Sequence, residues 1–239
     1  MDELEINYQA VYYHPMNIKG LSMNLLTFGF RQFATTKRIE KIDLIKKLSD
    51  DYDPTTSPKV EDFQELIFEQ LVDTIKITIC FENLMKAKLL LTGHVIHKLD
   101  KNIFPELYKE QFARPILFNE IRAIKDWEIN SKIKTDQVGL KNYIHGILKN
   151  TLGMKELLSS RYIEIMNLDE DILSLCKRDF EYRNNVHYYI QEKLSIGKQS
   201  YFDLTKIIDF VNDEMVNLQN QLVDNLNVGE NRKIKKIPY

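Results

Sequence analysis

Apolar positions along the chain recur at steps of three and four over long stretches, the spacing of a helix with one buried face. The first such stretch runs from about Leu21 to Leu48. The second, from about Glu61 to Leu99, puts Phe63, Ile67, Leu71, Ile75, Cys80, Leu84 and Leu91 near helical spacing, with no glycine or proline before Gly93. Inside it, "TIKITIC" (Thr74 to Cys80) is β-branched and alternates, which also fits a strand. The length of the unbroken run around it decides for helix. Shorter helical patterns cover Ile116 to Trp127 and about Leu140 to Leu152.

A further helix starts at "NLDEDI" (Asn167 to Ile172), whose acidic residues suit the positive end of a helix dipole. It runs to about Leu194, and Gly197 ends it. "SYFD" (Ser200 to Asp203) has the form of a capping box. The last helix follows, with Leu204, Ile207, Val211, Met215, Leu218 and Leu222 on one stripe.

Between these stretches lie breakers. "NYQAVYY" near the N-terminus fits a short strand or edge segment, stopped at Pro15. "DDYDPTTSPKV" (Asp50 to Val60), with two prolines and three Ser/Thr residues, is the clearest linker. Asp100 to Pro115 is a connection holding Pro105 and Pro115, "NSKIKTDQVG" is a polar loop, and "RYIEIM" (Arg161 to Met166) fits helix or strand. These elements predict an all-α protein. Residues 1–59 form an N-terminal helical extension and linker, 60–226 a helical bundle, and 227–239 a basic tail.

Composition agrees with this picture. Only 8 glycines and 6 prolines punctuate 239 residues, which favours long helices over a turn-rich β fold. A formal net charge of -2 gives no global attraction to nucleic acid or anionic membrane, so any RNA contact must use local cations. The clusters "KRIEKIDLIKK" and "NRKIKK" are basic, although a solvated helix face accounts for the first. Two cysteines, Cys80 and Cys176, make neither a disulfide framework nor a zinc set, and both lie in apolar runs as small core residues. That usage fits a reducing cytoplasm. No apolar run is long enough to span a bilayer, and the acidic start "MDELEINYQA" is not a signal peptide.

The helix from Asn167 breaks the ordinary rule of amphipathicity. Projecting its inner stripe from Ile172 and Cys176 leads to Asp179, Arg183 and then Val186 or His187. Charge on an inner stripe is costly unless it is paired or lines a wet groove. One reading is structural: Asp179 and Arg183 form an i,i+4 ion pair, and His187 is a satisfied, partly buried histidine. The other is chemical. RNA can be cut without a metal by its own 2′-hydroxyl, given a group that moves a proton and a cation at the phosphate. Histidine suits the first role and arginine the second. Asn184 can orient a neighbour, and Tyr182 or Tyr188 can stack on a base.

The segment "EYRNNVHYY" resembles the signature of the HEPN superfamily, in which an arginine, often followed by a polar residue such as asparagine, precedes a histidine near the start of a late helix. The order of elements is also similar. An early helix carries "FENLMKAKLLLTGHVIH" from Phe81, the motif helix follows, and an amphipathic helix closes the chain. The resemblance covers roughly Val60 to Val223. Three residues separate Arg183 from His187, one fewer than is usual in the family, and both still share a helix face. The resemblance implies an all-α bundle that binds RNA or a nucleotide. In catalytic members it acts as a metal-independent endoribonuclease of a toxin or phage-defence type. It further implies Arg183 and His187 as catalytic residues, with Asp179, Asn184, Tyr182 and Tyr188 in support. A homodimer that brings two motifs together and a protein antitoxin are the implied partners, with no cofactor and no metal. The alternative is a non-catalytic helical module that binds a protein partner or a nucleotide.

Other candidates are weaker. "GHVIHKLD" spaces His94, His97 and Asp100 by three at an expected helix end, where two histidines can share a metal. A further ligand is lacking, and histidines capping a helix C-terminus explain the pattern as well, so no metal is assigned. His14 precedes Pro15, His145 sits in a helical pattern with no visible partner, and Trp127, at a helix end, reads as an anchor and not a ligand platform. The sequence holds no P-loop, no dinucleotide glycine fingerprint and no Gly-x-Ser-x-Gly elbow.

Overall fold

The computed structural model describes residues 15–36, 60–102, 104–122, 148–189 and 206–225. The expectations for residues 1–14, the linker, the polar loop at 130–139, the helix end at Leu194, the capping box at Ser200 and the basic tail lie outside the described residues. Those described are mostly helical and fall into two compact units. One lies within Met1–Asn24 and Met85–Asn167, the other within Leu25–Leu84 and Leu168–Tyr239.

Helix α1 (Pro15–Ala34) buries Ile18, Ser22, Leu26, Gly29 and Phe33, the i, i+3, i+4 stripe of an amphipathic helix. It stops at Ala34, and from residue 37 the stretch expected to reach Leu48 lies outside the described residues. The hydroxyls of Thr35 and Thr36 donate to the carbonyls of Gln32 (2.9 Å) and Phe33 (2.7 Å), and so satisfy acceptors that another turn would have used.

Helix α2 (Val60–Leu91), 32 residues long, is the longest described element. "TIKITIC" is helical within it. Thr78 turns its hydroxyl back on the carbonyl of Thr74 (2.9 Å), and Ile77 is fully buried. Almost every side chain from Cys80 to Leu90 is buried, so helical spacing through this segment satisfies packing on several sides. Cys80 and Leu84 lie in the core as expected, whereas Leu91 is exposed. The helix ends here and not at Leu99. Gly93, at φ 84°, is the left-handed residue of a Schellman closure. Its N–H reaches the carbonyl of Leu90 (3.1 Å), and the N–H of His94 reaches Leu89 (2.8 Å).

After this turn the first unit holds the one strand pair among the described residues. Strands β1 (His97–Leu99) and β2 (Leu148–Thr151) pair antiparallel, with His97 opposite Thr151, Leu99 opposite Leu148 and a register shift between them. Residues 148–151 are therefore extended, contrary to the helix expected from about Leu140 to Leu152. The other edge of β1 is closed by a side chain. The Gln111 amide accepts from the Leu99 N–H (3.0 Å) and donates to the His97 carbonyl (2.8 Å), imitating a neighbouring strand. The segment from Asp100 to Pro115 is not a plain connection. It contains α3 (Pro105–Glu110), whose first turn holds Pro105, where a proline costs no hydrogen bond. Helix α4 (Phe118–Arg122) starts two residues later than expected, and the remainder to Trp127 lies outside the described residues. Helices α5 (Met154–Leu157) and α6 (Ser160–Met166) complete the unit, so "RYIEIM" is helix. Asn167 closes α6 at φ 44°, a conformation asparagine tolerates.

The second unit contains α7 (Glu170–Tyr189) and α8 (Val216–Asn225), with a π-helical turn (Val211–Met215) leading into α8. The start of α7 is the one expected from "NLDEDI". The Asp169 carboxylate accepts the N–H groups of Asp171 (3.0 Å) and Ile172 (3.3 Å), and Glu170 and Asp171 occupy the first turn. The expected stripe of the last helix is broader than regular spacing implies. Ile207, Ile208, Val211, Asn212, Met215, Val216, Gln219, Leu222 and Val223 are all buried. Adjacent pairs are buried before, within and after the π turn. A Cβ added at Gly29 would stand 2.8 Å from Met215 Cε and 3.3 Å from the Cys80 carbonyl, so residues 25–34, part of the expected extension, pack within this unit.

Candidate functional site

In the first unit the residues considered for a metal are not on a helix. His94 lies in the turn after α2, with Nδ1 at 3.0 Å from the Thr92 hydroxyl, and Asp100 accepts the Asn102 N–H (2.7 Å). His97, in β1, is pushed down to about 4 by burial, and the positive charge of Lys86 adds to the effect. The buried Lys86 ammonium donates to Thr151 (2.9 Å). Among the described residues no group of three His, Cys, Asp or Glu side chains is placed to hold a metal ion.

The sign of the His97 effect is definite. The fold favours the neutral ring, whereas the unfolded chain takes up a proton near histidine's ordinary value of 6.5. Stability is therefore present above that pH and falls as pH drops from about 6.5 toward about 4. In thermal melts across this window, His97→Gln should lose less stability than wild type. Parallel curves for the two proteins would contradict the account.

The motif lies in the second unit, on α7. Its inner stripe follows the periodicity: Ile172, Cys176 and Asp179 are buried, and the stripe then emerges at Arg183, whose side chain is 37% exposed. Asn184 is exposed. The helix continues through Tyr182, His187 and Tyr188, whose side chains lie outside the described residues.

Two contacts one turn apart join α7 to α2. The Thr78 hydroxyl donates to the Asp179 carbonyl (3.5 Å), and Arg183 Nη1 stands 3.5 Å from Glu82 Oε2. Because positions 78 and 82 step in the same direction as 179 and 183, the two helices run parallel here. The carboxylate that meets Arg183 is therefore Glu82, not Asp179. Asp179 is 3.3 Å from the neighbouring Arg178. The expected i,i+4 pair gives way because Asp179 faces inward while Arg183 has already reached the surface. A long, partly exposed ion pair contributes only about 0–1 kcal/mol, so Glu82 orients the guanidinium without locking it.

Both cysteines are buried and neither forms a disulfide, and burial pushes the Cys176 thiol up, which makes it an unreactive core group. No helix among the described residues is long and apolar enough to cross a membrane. Comparison with family models, with curated proteins and with solved structures returns no significant match.

Proposed function

We propose that this chain is a HEPN-like RNA-binding protein and a metal-independent endoribonuclease of the toxin or phage-defence kind, with Arg183 and His187 acting on one phosphate. The observation that carries this reading is the exit of the α7 stripe at Arg183. An arginine whose role was to complete a buried network would be enclosed with its partner. This one is over a third exposed, and Glu82 holds it weakly. On the helix backbone His187 follows one turn later, at a position on the same face of α7 as Arg183. Arg183 would hold charge at the phosphate, and His187 would move the proton of the 2′-hydroxyl or of the leaving oxygen.

Glu82 competes with the phosphate for Arg183. Glu82→Gln should therefore tighten binding of a single-stranded RNA, and Arg183→Ala should weaken it. Fluorescence anisotropy at fixed ionic strength measures both. Equal affinity in the two variants would remove Arg183 from the site. One arginine and one histidine make a thin site, and two-fold pairing through the face bearing α7 would double them. Light scattering at micromolar concentration should give the mass of a dimer, and a monomer alone would exclude this arrangement.

A further inference from the structure

The first unit holds a cleft of about 270 Å³ that uses none of the motif residues. Its walls are Lys98 of β1, Tyr108 of α3, Phe112 just beyond it, Leu152, Glu156 of α5 and Arg161 of α6. Gln111 also lines it, but its amide is committed to the edge of β1 and reads nothing in the cleft.

We propose that this cleft binds a small aromatic monocarboxylate. Three independent features of the wall select that chemistry. The first is charge. Lys98 and Glu156 neutralise each other at 2.6 Å, and Glu156 also accepts the Gly153 N–H (3.0 Å). Arg161 has no such counterpart. Among the described residues no group accepts a hydrogen bond from its guanidinium, its Nε is buried without a partner, and its contact is with the face of Tyr162, 5.2 Å from the ring centroid. A guanidinium on the cleft wall that donates to no described group is open to an acceptor from outside. One surplus positive charge matches a carboxylate, which the planar guanidinium meets with two parallel hydrogen bonds.

The second feature is aromatic. Phe112 is 65% exposed at the cleft, and Tyr108 stands edge-on to it with ring centroids 5.0 Å apart and planes at 84°. This two-ring corner, with buried Leu152 beside it, offers an apolar surface for a third ring. The third is size. The volume falls just below the range of roughly 300–1,000 Å³ usual for small-ligand pockets, so it suits one ring and a short acidic arm. A nucleoside monophosphate is larger, and its dianion would exceed the single free charge.

Calorimetric titration of the full-length protein with phenylacetate tests the proposal. Phenylacetate should bind at least about tenfold more tightly than its neutral counterpart phenylacetamide and than acetate, which has no ring. Arg161→Gln should lower phenylacetate affinity by about tenfold or more, the loss of one charge-assisted contact. Phe112→Ala, at an exposed position that leaves the core intact, should lower it as well, so the test stands even if the Arg161 variant folds poorly. Three results would each overturn the proposal: no binding of phenylacetate, affinity unchanged in both variants, or tighter binding of adenosine monophosphate than of phenylacetate.

Discussion

His187→Ala is expected to abolish cleavage of single-stranded RNA while leaving the fold nearly unchanged. Loss of a general acid or base slows such a reaction by roughly 10²–10⁴, enough to take a modest nuclease below detection. Arg183→Ala should weaken both binding and turnover, with the rate falling about 10²–10³, because a preorganised cation at the developing phosphate charge is lost. The stability consequences follow from the geometry around Arg183. Its pair with Glu82 is 3.5 Å long and partly exposed, so its removal costs about 0–1 kcal/mol. A buried ion pair broken on one side would instead cost roughly 3–5 kcal/mol. Thermal melts run beside the cleavage assay separate the two readings of the motif. Small shifts with lost cleavage support the chemical one. Large shifts in both variants, with no cleavage by wild type, support the structural one.

The largest expected effect on folding is at Phe81. Its side chain is 1% exposed on α2, and its ring lies 5.7 Å from that of Phe210, at an angle of 45°. Phe81→Ala removes the ring and leaves a cavity that buried helix side chains cannot fill without moving. Core Phe→Ala changes cost about 3–5 kcal/mol, a large part of the 5–15 kcal/mol by which domains of this kind are stable. Urea denaturation should show a strongly lowered midpoint with an unchanged slope. A loss under about 1 kcal/mol would mean that this side of α2 is not the core of its unit.

Some of this architecture was legible in local pattern, and some was not. The start of α7 was readable because a cap is a local device: Asp169 meets the N–H groups of the next residues in its own turn. The helical state of "TIKITIC" was readable because a long unbroken run outweighs β-branched propensity. Ile77 is then buried on the helix's inner face, while Ile75 and Ile79 are half-buried beside it. Gly93 was visible as a breaker, yet the three-residue spacing of His94, His97 and Asp100 imitated a helix past it. Only the positive φ at Gly93 and the pairing of His97 with Thr151 and of Leu99 with Leu148, far along the chain, make that stretch extended. Strand β2 itself, "LKNT", has little strand propensity and is held by its partner. The π turn at Val211–Met215 has no marker in the spacing of the apolar residues.

The candidate site divides in the same way. The polar residues on the inner stripe of α7 were legible from spacing alone, and the burial of Asp179 follows it. Glu82 as the partner of Arg183 was not legible, because 101 positions separate them and only the parallel run of α2 and α7 brings them together. Arg161 was equally silent. Nothing in "RYIEIM" says that its guanidinium would donate to no described group, since that depends on what the fold places around it.

The most direct measurement of the central claim is the chemistry of the RNA ends. The purified full-length protein is incubated with single-stranded RNA in excess EDTA, and the products are resolved by mass. Cleavage should persist in the chelator and leave a 2′,3′-cyclic phosphate on one fragment and a 5′-hydroxyl on the other. Both products should be lost in His187→Ala. RNA left intact by wild type, cleavage that EDTA abolishes, or cleavage that survives His187→Ala would contradict it.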